Sequence, residues 1–290
     1  MNMVLKEIVF KNINPNHHFD LVDLESILKR KPKDHNQFDH HKISFYAIVI
    51  ITHNNGKHSI NYSDYSYKKG TVFTLRKSST HKFYKTNAKG KFLVFTEDFV
   101  IRYSDKIETL KLFQLFNEML GSPKLQLDDS NFAQIKSLIN QIEQEYLDVI
   151  DSYSIEIIRS LIQVLILKLF RIKSKGKDNL GYRKYHLKFI YLQELVEKEC
   201  FESKKVSYYA NKMGVTTKTL NNITHSMVGK HAKSFIDEIV ILQIKRLLIN
   251  SQLSFTEIAY QAGFSTPTNF FKYFRKKTGL SPKQFKENRK

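Results

Sequence analysis

The residues that could do covalent or metal chemistry are few and poorly grouped. Cys200 is the one cysteine among 290 residues, which excludes an internal disulfide framework and an all-cysteine metal cage. It follows Tyr185, Phe189, Leu192 and Val196 at helical spacing and reads as a small core residue. Among eleven histidines, His17-His18 and His40-His41 read as surface loop pairs, and His53 and His58 are separated by four intervening residues. No metal site and no cofactor is expected from this set. The abundant chemistry is charge: 47 basic against 28 acidic side chains give a formal +19. Such an excess points to a polyanion, either nucleic acid or an anionic membrane surface.

The most apolar stretches, residues 45–52 and 161–170, fall short of the ~20 residues a spanning helix needs. No basic segment leads into a long apolar run at the start, so a secretory signal is not expected. No membrane partner is expected, and one unpaired thiol fits a reducing cytoplasm. The charge is unevenly placed. Residues 1–181 hold 27 basic and 20 acidic side chains, net +7, whereas residues 182–290 hold 20 and 8, net +12. The shorter segment is therefore the candidate polyanion-binding module.

The elements that position these charges follow from periodicity. Residues 43–97 alternate short β-branched and aromatic runs with turns such as Asn54-Asn55-Gly56 and Ala88-Lys89-Gly90. That pattern predicts a small antiparallel barrel or sandwich. From about residue 106 the period becomes helical, with Ile107, Leu110 and Phe113, then a helix over 132–150 after Asp128-Asp129-Ser130. A third helix over 154–172 carries a wide apolar face of Ile158, Leu161, Ile162, Leu165 and Leu169. Two coverings are open for that face: the back of the strand region, or a second subunit. Residues 173–181, polar with two Gly, read as a linker.

Residues 182–290 read as helix throughout and hold two similar units. In the first, about 206–227, a short helix meets the turn Gly214-Val215 and Thr216 caps the next helix. In the second, about 255–277, the turn is Gly263-Phe264, Ser265 or Thr266 is the cap, and Pro267 sits in the first turn. A long helix over about 232–250 joins them. At 1.5 Å per residue it spans on the order of 27 Å, roughly the ~34 Å between adjacent major-groove faces.

Residues 186–287 resemble the DNA-binding domain of AraC/XylS-type transcription regulators. The resemblance rests on Ile258-Ala259, Gly263-Phe264, Phe270, Phe274-Arg275-Lys276, Thr278-Gly279-Leu280-Ser281-Pro282 and Phe285, and more loosely on Ala210, Thr216, Leu220 and Gly229. Arginines frequent in the family have no counterpart at Ile239 or Val240 and are replaced by Lys272 and Asn222. These departures leave the fold in place and make the DNA sequence that is read unpredictable from the resemblance. The first half is similar in architecture to the cupin-like ligand-binding and dimerisation domain of such regulators. Metal-binding cupins use a His-x-His pair, a Glu and a further His; this chain has no His-x-His.

The expected fold is thus a two-domain α+β chain. A cupin-like antiparallel β-barrel with trailing helices occupies 1–172, a linker 173–181, and an all-α domain with two helix-turn-helix units 182–290. The expected function is a sequence-specific regulator, an activator, with two recognition helices in successive major grooves of double-stranded DNA. The resemblance implies RNA polymerase as a partner, and a barrel that senses a small-molecule effector or mediates dimerisation. The alternative is a cupin-type enzyme fused to a DNA-binding domain.

Outward positions supply the candidate base contacts: Thr217, Lys218, Asn221, Asn222 and His225 in the first unit, and Thr268, Asn269, Phe271 and Lys272 in the second. Asn pairs bidentately with adenine, and Lys donates to guanine or phosphate. Phe271 is balanced between a thymine methyl and local packing. Lys204, Lys205, Lys230, Arg275, Lys276 and Lys277 are the candidate phosphate contacts. An effector would lie among Phe45, Tyr62, Phe73 and Phe83, with Arg76 and Lys82 for an acidic ligand. A homodimer would form through the five apolar residues of the third helix.

Overall fold

The computed structural model describes residues 7–9, 18–29, 36, 38–101, 114–117, 121–147, 153–174 and 180–287. Its contacts divide the chain into two compact units, residues 6–177 and 178–290. Ile107, Leu110 and Phe113, expected to be helical, and His17 lie outside the described residues.

The first unit contains strands β1 (Glu7–Ile8), β2 (Phe19–Asp23), β3 (His41–Ile43), β4 (Tyr46–His53), β5 (Gly56–Ile60), β6 (Ser63–Tyr67), β7 (Thr71–Leu75), β8 (Thr80–Phe83), β9 (Lys89–Phe95) and β10 (Lys124–Gln126). Helices α1 (Leu24–Lys29), α2 (Glu97–Ile101), α3 (Asp129–Leu147) and α4 (Ser154–Ser174) complete it. The expected closed barrel is corrected. Among the described residues the strands form two five-stranded sheets, ordered β1-β3-β8-β5-β6 and β10-β7-β4-β9-β2. All described pairings are antiparallel except β1 with β3.

The physical reason lies in β4. Its run Ala47–Ile51 is buried along its whole length, the signature of a strand covered on both faces. Ala47, Val49 and Ile51 pack with Ile43, Ile60 and Phe83 between the sheets. Ile48 and Ile50 face the other way, against Ile135, Ile139 and Ile142 of α3 and Ile158 and Ile162 of α4. The unit is therefore layered as sheet, sheet, helices. The Tyr146 hydroxyl donates to Asp20 at 2.9 Å, and Lys91 pairs with Asp23 and Glu143, fastening α3 to β2 and β9.

This layering corrects the dimer face. Ile158, Ile162, Leu165 and Leu169 are buried within the unit's own core, and Leu161 alone of the five is partly exposed. A wide apolar helix does not announce which of its sides meets the sheet. The side left to solvent holds Tyr153 just before α4, then Ile157, Val164 and Leu167.

The second unit is helical: α5 (Leu180–Glu199), α6 (Val206–Lys212), α7 (Thr217–Val228), α8 (Ala232–Asn250), α9 (Phe255–Gln261), α10 (Pro267–Thr278) and α11 (Pro282–Glu287). α4 and α5 extend into the expected linker and leave residues 175–179 between them, outside the described residues. α8 buries a wide apolar face, with Phe235, Ile236, Ile239, Val240, Ile244 and Leu248 buried, as a helix against which several others pack must. Cys200 is buried, and burial pushes its thiol up to about 11. No described helix is long and apolar enough to cross a membrane.

Candidate nucleic-acid interface

Two helix pairs in the second unit are built alike. α6 ends in a turn with Gly214 at φ +62°, and the Thr216 hydroxyl accepts the Thr219 N–H at 3.1 Å to cap α7. α7 ends at Gly229, φ +67°, whose N–H returns to the His225 carbonyl. In the second pair, Ser254 and Glu257 form a reciprocal capping box on α9. Gly263 turns at φ +71°, and Thr266, rather than Ser265, caps α10 ahead of Pro267. Gly279 ends α10 at φ +76°. The landmarks recur fifty residues apart: caps at 216 and 266, left-handed glycines at 229 and 279, following helices at 232 and 282. Each cap satisfies one of the helix's open N–H groups, and glycine meets no Cβ penalty at positive φ.

On α7, Leu220, Ile223, Thr224 and Met227 are buried. Thr217, Lys218, Asn222 and His225 are exposed, and Lys218, Asn222 and His225 share one face. On α10, Phe270 and Phe274 are buried, while Thr268, Asn269, Lys272, Arg275 and Lys276 are exposed. Thr268, Lys272 and Arg275 form the matching face. Ser226, exposed one turn beyond Asn222, was missed; counting four residues on from Asn222 finds it.

Five expected contacts take different places. The Asn221 carboxamide accepts the Ala232 N–H at 2.9 Å and donates to the Thr217 carbonyl at 3.0 Å, so it caps α8 from α7. The half-buried Phe271 ring packs 5.5 Å from Phe270 and 6.0 Å from Phe255. Lys204 donates to the Ala262 carbonyl at 2.6 Å and lies 4.4 Å over the Phe264 ring. Burial lowers its pKa. Lys230 is held by Glu238 at 2.7 Å, and Lys277 by Asp237 at 2.7 Å. All five meet partners more than five residues away, which no local pattern displays. Lys205, Arg275 and Lys276 remain exposed.

In the first unit, Phe45, Tyr62, Phe73 and Phe83 are buried core side chains. Lys82 pairs across from Ser59 and lies 4.9 Å from the Tyr84 ring. Strand alternation puts it on the face opposite His81 and Phe83, and Arg76 is partly buried. Sequence reasoning missed the buried imidazoles. His58 Nε2 lies 3.0 Å from His81 Nδ1, the His41 ring is 4.2 Å from that of His81, and Phe83 stacks 4.1 Å from His58. Burial, then the neighbouring His41, lowers the His58 pKa to about 3. Alternation of His58 with Ile60 and of His81 with Phe83 is the signal that would have found them. Among the described residues, no group of three His, Cys, Asp or Glu is placed to hold a metal ion. An open groove of about 700 Å³ lies elsewhere, lined by Lys57, Asp64, Tyr67, Tyr84 and Lys85 among others.

Residues 209–288 match the family described as "Helix-turn-helix domain". The chain is similar to the HTH-type transcriptional activator RhaS of Escherichia coli K12, 26% identical over 258 residues, covering 87% of this chain and 88% of that protein. The Escherichia fergusonii protein of the same description is 24% identical with the same coverage. Among solved structures, ToxT from Vibrio cholerae O395 bound to (E)-4-(8-methylnaphthalen-1-yl)but-3-enoic acid aligns with TM-score 0.42 and 15% identity, covering 94% of this chain and 98% of that one. Residues 209–288 are a helix-turn-helix domain of the AraC type, in a chain homologous to AraC-family transcription regulators.

Proposed function

We propose that the chain is a sequence-specific DNA-binding activator of transcription, not an enzyme, that places α7 and α10 in successive major grooves. One observation carries this reading: two recognition-type helices, identically capped, present matching exposed faces of Lys218, Asn222 and His225 and of Thr268, Lys272 and Arg275. Thr217, Asn222, His225, Thr268, Asn269 and Lys272 are assigned to base edges. Lys205, Arg275 and Lys276 are assigned to phosphates, with Lys218 serving either. Both helix pairs are read as helix-turn-helix units, the second unit of the chain as the DNA-binding domain, and RNA polymerase as the downstream partner. The related activators support this. The test is binding of the full chain to duplex DNA across a salt series. Affinity should fall with a slope near −0.9 per phosphate neutralised; a salt-insensitive complex would exclude the reading.

The first unit is read as a cupin-like domain for dimerisation and effector sensing. Its outer helix side, the exposed Ile157, Val164 and Leu167 with the partly buried Leu161, repeats at intervals of three and four, the spacing of a helix–helix seam. Val164→Lys should make the full chain monomeric in ultracentrifugation while it stays folded, whereas Leu165→Lys should unfold the first unit. A Val164→Lys dimer would place the contact elsewhere. A small acidic effector finds its basic groups at Lys57 and Lys85 in the open groove, rather than in the filled interior.

A further inference from the structure

α8 holds both α7 and α10 by more than apolar contact: the Asn221 carboxamide of α7 accepts the Ala232 N–H of α8 at 2.9 Å, and a longer set of polar contacts reaches α10. Lys204, in the loop before α6, donates from Nζ to Ala262 and Gly263 carbonyls in the turn between α9 and α10, at 2.6 and 3.4 Å. In the same turn a Cβ on Gly263 would lie 2.0 Å from the Phe201 carbonyl oxygen, so this loop and turn meet backbone to backbone. The Lys204 carbonyl in turn accepts from Lys233 Nζ at 3.1 Å. Lys233, in the first turn of α8, also reaches Asp237 at 2.6 Å. Asp237 is 3% exposed and accepts the Tyr273 hydroxyl of α10 at 2.8 Å and pairs with Lys277 near the end of α10 at 2.7 Å. One polar chain thus runs from the turn before α10, through the loop ahead of the first helix pair and α8, to the middle and the C-terminal turn of α10.

Apolar surfaces tolerate small slides and rotations, whereas directed hydrogen bonds to a buried carboxylate do not. Breaking one leaves a desolvated group without its partner. Burial pushes Asp237 toward the neutral form, yet the bonds from Lys233, Lys277 and Tyr273 outweigh it and hold its carboxyl below the usual range.

We propose that Lys204, Lys233 and Asp237 are positioning residues that fix α10 relative to α7 and thereby set the number of base pairs between the two DNA segments the protein reads. This rests on the reading that both helices enter DNA. Adding one base pair moves the second segment by about 3.4 Å and turns it by about 35°, more than a side-chain contact survives. A rigid pair of helices must reject such a site, and a loosened pair must accept it more readily.

The experiment uses the full chain and duplexes selected from a random pool by the wild-type protein, each then lengthened or shortened by one base pair between the two protected segments. Wild type should lose at least about tenfold in affinity on the altered spacings. Asp237→Asn and Lys204→Met should bind the original spacing more weakly but lose no more than about threefold on changing it, and Asp237→Glu should recover part of the discrimination. A merely structural role would lower affinity equally at every spacing. If Asp237→Asn does not fold, Tyr273→Phe, which removes one donor, makes the same comparison. Folded variants with the full wild-type spacing penalty would overturn the proposal. A wild-type footprint with one protected segment would instead overturn the two-helix reading on which it rests.

Discussion

The two helix pairs of the second unit share a frame and differ in surface. Both have a seven-residue first helix and a twelve-residue second helix with a threonine cap and a left-handed terminal glycine. At equivalent positions the exposed residues are Lys218 and Thr268, Asn222 and Lys272, His225 and Arg275, Ser226 and Lys276. α7 presents mainly neutral hydrogen-bonding groups and α10 mainly cations. Caps and buried apolar residues dictate the backbone, so the outward side chains can differ between the two helices. On the proposed reading, both helices touch base edges, with the larger share of base discrimination on α7 and the larger share of electrostatic anchoring on α10.

The frames differ in one respect that a glycine substitution exposes. A Cβ at Gly214 meets nothing within 4 Å, whereas one at Gly263 meets the Phe201 backbone. Gly214→Ala should therefore cost about 1–3 kcal/mol, the ordinary penalty for a side chain at positive φ. Gly263→Ala should cost more than the upper end of that range, because backbone must also move. Urea denaturation of both variants decides this; equal costs would mean that the two turns are equivalent after all.

The division of labour predicts a second contrast. Asn222→Ala should relax base preference at one position by about 1–3 kcal/mol. Arg275→Ala and Lys276→Ala should weaken all duplexes alike, each reducing the salt slope by about 0.9. Asn221→Ala removes a cap on α8 and should lower stability by about 1 kcal/mol with base preference retained. Quantitative binding to a panel of single-base variants separates the three outcomes. Loss of base preference in Arg275→Ala would break the comparison.

Much of this frame was legible in the chain. Gly, Thr and Pro at fixed offsets announced the turns and caps, and Leu220, Ile223, Phe270 and Phe274 announced the buried faces. What stayed hidden depends on distant partners. Asn221 looks like a recognition residue until Ala232, eleven positions on, supplies its N–H. Lys204 and Lys277 look like phosphate ligands until the chain returns Ala262 and Asp237 beside them. In the first unit, alternation gave the strands but not their closure, because β4 is apolar on both faces and cannot say which side receives a sheet and which the helices.

The smallest expected difference is in acid. α7 is tied to α8 by the neutral amide of Asn221, and α10 by the carboxylate of Asp237. The Asp237 pKa is lowered in the folded state, after burial is outweighed by its three donors. Its stabilisation is therefore complete above the unfolded value near about 3.9 and is lost as pH falls through the lower folded value. Amide exchange should show Phe274 losing protection before Leu220 on acidification below about pH 4. Simultaneous loss would remove this asymmetry.

The most direct test of the account is a footprint of the full chain on one selected duplex, repeated with Asn222→Ala and with Lys272→Ala. Two protected segments about one helical turn apart are expected, with Asn222→Ala altering protection in one and Lys272→Ala in the other. Both substitutions acting on the same base pairs would contradict it.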